Sequence, residues 1–146
     1  MASITTNYLR KQLLTAGIDI ENDAGVKAML LSTAYTPNKD HDFVNDISAN
    51  ELSGTGYTGG FGGSGRKALV NRVLVQDDTG DVAYLDCDDL TWSAINAGTI
   101  GHIAIVKEIT NDAASVIIAI IDVADVTTDG GNYTWQVATD GFVKLS

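Results

Sequence analysis

Residues 54–65 read Gly-Thr-Gly-Tyr-Thr-Gly-Gly-Phe-Gly-Gly-Ser-Gly, with seven glycines in twelve positions. Two folds compete for this stretch. Gly54 to Gly59 spell the dinucleotide fingerprint G-x-G-x-x-G, which implies a parallel α/β sheet. That motif needs a buried strand before it and a helix after it, so that the pyrophosphate meets free N–H groups at the helix start. Asn50, Glu51, Leu52 and Ser53 precede it, and they do not form a buried strand. Gly60, Phe61, Gly62 and Gly63 follow it, and each glycine costs a helix about 1 kcal/mol relative to alanine. A P-loop fails as well, because Gly65 is followed by Arg66, Lys67 and Ala68 instead of Lys and Ser or Thr. The glycine run is therefore read as a long loop on a β scaffold.

The flanking sequence agrees. Val26 to Ser32 reads as a strand, and Thr36-Pro37-Asn38 as a turn. One helical turn is expected near Val44 to Ala49. Ala68 to Gln76 and Asp81 to Asp86 form the arms of a hairpin about Asp77-Asp78-Thr79-Gly80. Further strands are expected at Leu90–Ala94, His102–Ile109, Val116–Val123, Tyr133–Ala138 and Gly141–Leu145, with a turn at Asp129-Gly130-Gly131. Val116 to Ile121 is apolar at every position, so this strand is either central or covered by a partner on one face. Near the start, Leu9, Leu13 and Ala16 share one face of a short helix over about 6–16, with Gly17 placed to close it. The expected fold is mainly β: an antiparallel β-sandwich or barrel-like single domain spanning 1–146, with a short N-terminal helix.

Composition excludes several functions. Nineteen acids against nine Lys and Arg give a formal charge of −10, and the basic residues are scattered, which argues against nucleic acid. The six-residue apolar run at Val116–Ile121 is far short of the roughly 20 residues of a membrane span. No secretory signal is read at the start, since Arg10 and Lys11 come late and a short polar stretch follows them. A soluble chain made in a cytoplasm is expected.

Enzymatic chemistry is not expected. His41 lies in the polar stretch Lys39-Asp40-His41-Asp42, and His102 at the opening of a strand is expected to be satisfied there. Two histidines and one cysteine do not make an ordinary zinc site. No serine sits in a G-x-S-x-G elbow. The carboxylates beside Cys87 disfavour its thiolate. The acids at Asp77/Asp78/Asp81 and Asp86/Asp88/Asp89 lack the order of an EF-hand loop, and the first group suits a hairpin turn. Trp92 and Trp135 each follow a threonine on a strand and are expected to anchor the core. No catalytic residue, cofactor or metal site is assigned.

Words spread along the chain resemble a family of small tailed-phage virion proteins. They are Leu13 to Ile20, Val26 to Pro37, Asp40-His41-Asp42-Phe43, Asp46 to Tyr57, and Leu85 to Ser93. Cys87 stands where the family has alanine, and Gly59 to Gly65 is longer and richer in glycine. The resemblance implies a capsid cement, or head decoration, protein. Such a protein sits on the virion surface, binds the major capsid protein and forms a homo-oligomer, a trimer or a dimer. The alternative it leaves open is a tail- or fibre-attached module that binds a receptor or carbohydrate. On the cement reading the glycine loop is a flexible arm. Tyr57, Phe61, Arg66 and Lys67 are then the candidate protein-interface residues, because Tyr and Arg are enriched at interfaces. The competing reading folds Tyr57 and Phe61 back onto their own domain.

Overall fold

The computed structural model describes residues 4–8 and 17–146. Its strands are β1 (Ile4–Thr5), β2 (Val26–Ser32), β3 (Lys67–Ala68), β4 (Val73–Asp77), β5 (Val82–Asp86), β6 (Leu90–Trp92), β7 (Thr99–Lys107), β8 (Val116–Thr127), β9 (Tyr133–Trp135) and β10 (Val143–Leu145). All pair antiparallel. A five-stranded sheet runs β1-β8-β7-β2-β3, a three-stranded sheet β10-β5-β4, and a ribbon β6-β9. Among the described residues the fold is mainly β and sandwich-like, and no sheet closes into a barrel. The helix expected over about 6–16 falls mostly outside the described residues.

Strand β2 shows how sequence builds the layers. Successive side chains on a strand point to opposite faces. Val26, Ala28 and Leu30 enter the main core, while Met29 and Leu31 enter a second core behind the sheet. Strand β7 repeats this, with Ile103 and Ile105 in the main core and Ala104 and Val106 in the second. Strand β8 slips register where Ile105 and Val106 meet it, and both Ile118 and Ala119 join the main core. Its continuous apolar run is thus explained within this chain: both faces of Val116–Ile121 are buried. Each buried Ile or Val there contributes about 1.5–3 kcal/mol.

The second core is roofed by residues 35–47. Tyr35, Val44 and Ile47 are buried there, and the expected helical turn is two 3-10 turns, Val44–Asp46 and Ser48–Asn50. Backbone bonds tie this roof down: the Ile117 N–H donates to the Asp42 carbonyl at 2.9 Å, and the Val44 N–H to the Ser115 carbonyl at 2.9 Å. The main core lies on the other face, under β5, β6, β9 and β10.

Most expected strands shift their bounds, as His102–Ile109 does to Thr99–Lys107 and Tyr133–Ala138 to Tyr133–Trp135, and two differ further. Ala68 to Gln76 is not one strand, because Asn71 takes a left-handed conformation with φ of 52° and separates β3 from β4. Asparagine tolerates that region, and the Asn71 amide donates to Asp88 Oδ2 at 2.7 Å. Strand β8 runs on to Thr127, four residues past the expected end. The hairpin turn holds as read: Asp77 Oδ1 accepts the N–H groups of Thr79 and Gly80 at 2.9 and 3.1 Å.

Candidate functional site

The glycine run is a strap fastened to the domain. Gly54 and Tyr57 exchange backbone hydrogen bonds at 2.8 and 3.2 Å, and the Asn96 N–H donates to the Thr55 carbonyl at 2.8 Å. Gly56, with φ of 74°, lies so close to the loop after β6 that a Cβ would sit 2.5 Å from the Ala94 carbonyl oxygen. Further along, the Gly60 N–H donates to Glu51 Oε2 at 2.9 Å, and the Gly65 N–H to the Thr58 carbonyl at 3.0 Å. Gly65 lies flat on the Tyr57 ring, where a Cβ would meet ring carbons at 2.6 Å. Its carbonyl accepts the Trp92 indole N–H at 2.7 Å. At Gly56 and Gly65 glycine is required for close approach to other atoms.

Beneath the strap lies a buried ion cluster. Arg66 clamps Glu51 through Nε and Nη2, at 2.9 and 2.7 Å. It reaches Asp112 through Nη1 and Nη2 at 2.7 and 3.2 Å, and Glu108 through Nη1 at 3.0 Å. These bonds use the whole five-donor fork of the guanidinium. The Arg66 side chain is fully buried, and Glu51 and Glu108 nearly so. Lys27 adds a second cation on Glu108. Burial works against the Arg66 charge, but the bonds to Glu51 and Asp112 outweigh it and raise its pKa. Tyr57 accepts the Leu30 N–H at 2.9 Å and donates to Glu51 Oε1 at 3.0 Å. Burial, then the Glu51 charge, pushes its phenol well above the usual range.

These contacts correct the candidate interface. Tyr57 is 0 % exposed and Arg66 4 % exposed, so both are internal and neither is offered to a partner. The reason is chemical: an Arg whose donors are all spent on carboxylates is a fastening, and the Tyr57 hydroxyl satisfies a strand N–H that would otherwise be orphaned. Phe61 is 44 % exposed at the outer bend of the strap. Lys67 is half-buried in β3. The flexible arm is likewise corrected to a strap with bonds at both ends.

The remaining singled-out residues are placed as follows. Trp92 and Trp135 are core residues. Tyr35 donates to or accepts from His41 Nδ1 at 3.0 Å, and its ring meets the His102 ring edge-on at 5.6 Å between centroids. His102 is buried inside β7, with Nε2 3.6 Å from Asp122 Oδ1. Its Nδ1 has no hydrogen-bond partner among the described residues, against the expectation of a satisfied histidine. Among the described residues no group of three or more His, Cys, Asp or Glu is placed to hold a metal ion. No described helix is long and apolar enough to cross a membrane.

Cys87 is buried, and burial, followed by the charges of Asp86, Asp88 and Asp89, pushes its thiol up to about 12. Alkylation by iodoacetamide at neutral pH is therefore expected to run at least about a hundredfold slower than for a free thiol near 8.5. Labelling of the folded protein at the free-thiol rate would contradict this burial. The shift has a stability sign: the contribution is full below the unfolded value of about 8.5 and is lost as pH rises toward the folded one. Alkaline loss of stability over that window is expected to flatten in Cys87→Ala.

Two surface features remain. A groove of about 820 Å³ opens between the far end of β8 and strands β9 and β10, and its lining includes Tyr133, Trp135, Phe142, Asp122 and Asp140. On the three-stranded sheet, Val73 and Leu74 are exposed, and so is Val70 just before it. No family model, curated protein or solved structure matches this chain.

Proposed function

We propose that this chain is a structural protein of a tailed-phage virion, a capsid cement protein that binds between major capsid protein subunits and stabilises the head. The observation that carries the reading is how the chain uses its distinctive residues. Arg66, Glu51, Tyr57 and Trp92 are spent on bonds that fasten the strap, while aliphatic side chains at Val70, Val73 and Leu74 are left exposed. Reactive chemistry is turned inward and apolar surface outward, which suits an assembly part. The words that resemble small phage virion proteins include packing positions such as Tyr35, Leu52, Tyr57 and Trp92, which supports reading the resemblance as one of scaffold.

On this reading the chain is synthesised in the host bacterial cytoplasm, joins the capsid surface and forms a trimer or a dimer. It uses no cofactor and contacts neither nucleic acid nor membrane. Contacts with several capsid subunits at once add up through effective concentration, so a modest interface per subunit suffices. The test strips the protein from purified capsids and compares bare with intact particles under heat and osmotic shock. Bare shells are expected to rupture earlier, and readdition of the protein to restore them. Equal survival of bare shells would contradict the cement role.

A second reading, a receptor- or carbohydrate-binding module on a tail or fibre, is favoured by the groove. Aromatic rings beside carboxylates in a concavity of this size match the make-up of ligand sites. Specific binding on a glycan array would support it.

A further inference from the structure

The three-stranded sheet carries more apolar surface than its own core uses. Leu74 stands opposite Leu85, which stands opposite Val143, forming one cross-strand row. Leu85 and Val143 are buried in the main core, yet Leu74 is 51 % exposed. The next row on that face pairs Ala83 with Leu145, itself 38 % exposed. With Ile20 these residues line a dimple of about 50 Å³. That is far below the roughly 300–1,000 Å³ of a small-molecule site, and suits a single aliphatic side chain. Val73, 47 % exposed, points to the opposite face of the same strand and lies outside this patch. Exposed aliphatic residues grouped this way mark an interaction surface more often than scattered ones do.

Charge identifies the occupant. The patch is flanked by Asp77, Asp78 and Asp81 at the hairpin turn and by Glu21, whose Oε1 accepts the Leu74 N–H, so acids outnumber the neighbouring Arg72. Asp88 donates its N–H to the Val70 carbonyl and so brings a further carboxylate to the rim. Lys144 on the same sheet is held by Asp140. A second copy of a chain with formal charge −10 would bring like charge to this rim. Strand β4 is an edge strand, and the Leu74 N–H is taken by Glu21 Oε1 at 3.3 Å, which blunts the edge against strand addition. Docking is therefore by side chains.

We infer that this patch docks a protein face with an apolar centre and a Lys/Arg rim. The inference rests on the cement reading, on which that face belongs to the major capsid protein. An aliphatic side chain of the partner enters the dimple beside Leu74, and the carboxylate rim speeds and orients the encounter.

The test measures binding of the purified chain to shells assembled from the major capsid protein of the virion to which the cement reading assigns it. Leu74→Ser is expected to weaken binding at least about tenfold, as truncation of a central anchor does, with thermal unfolding unchanged. Asp78→Lys/Asp81→Lys, on exposed turn residues, is expected to weaken it as well and keeps the test open should the first variant misfold. Ile109→Ser, exposed elsewhere, is expected to bind as the parent does. Parent binding should fall as salt rises from about 50 to about 500 mM. Parent-like binding by both patch variants would overturn this inference and leave the cement reading standing. Failure of the parent to bind shells would overturn both. Loss of self-association in the patch variants, with shell binding intact, would assign the patch to a second copy and overturn the inference too.

Discussion

Arg66→Met is expected to cost the fold about 3–5 kcal/mol, the usual loss when one partner of a buried ion cluster is removed. The guanidinium holds Glu51, Glu108 and Asp112 in place, with no exposed surface of its own side chain. Without it, carboxylates that are largely out of water face one another, with Lys27 as the only counter-charge among the described residues. In thermal unfolding this corresponds to a drop of roughly 10 °C for a chain of this size. Lowering the pH should recover part of the loss, because protonation of the stranded carboxylates removes their repulsion. Arg66→Lys should fall between the two, keeping a charge but losing the forked pairing with Glu51. A loss below about 1 kcal/mol, the range of exposed pairs, would contradict the burial of this cluster.

Trp92→Ala is expected to be as costly, about 3–5 kcal/mol, through the cavity left in the main core. Trp92 is 1 % exposed and packs its ring against Tyr133 at 5.9 Å. Its indole N–H is also the fastening between β6 and the far end of the strap. The loss should therefore appear locally as well, as faster hydrogen exchange in residues 58–65 at denaturant levels where β7 and β8 stay protected. Trp92→Phe separates the two effects: it refills much of the cavity but leaves the Gly65 carbonyl without its donor. Unchanged exchange in the strap for both variants would show that the fastening carries no weight.

Strand positions were largely legible because they rest on local alternation and turn chemistry. Val26–Ser32 is a strand as its apolar run reads, and the Asp77–Gly80 turn follows from residues that bond within four positions of one another. The strap was misread for the opposite reason. Glycine density signals conformational freedom, but what fixes this loop lies far along the chain: Trp92 for Gly65, and Glu51, Glu108 and Asp112 for Arg66 at separations of 15, 42 and 46 residues. No periodicity records such contacts. One signal was present, since Glu51 and Arg66 bracket the glycine run with opposite charge, as the two ends of a buckle would. Tyr57 looked like an interface aromatic by residue type alone, and its hydroxyl's use on the Leu30 N–H could be seen only once β2 was in place.

Electron cryomicroscopy of the intact virion tests the proposed function most directly. The account predicts density for this β domain, as a trimer or a dimer, on the outer capsid surface, bridging major capsid protein subunits, with Leu74 facing the shell. Density for the chain on the tail or a fibre, with an undecorated head, would contradict it.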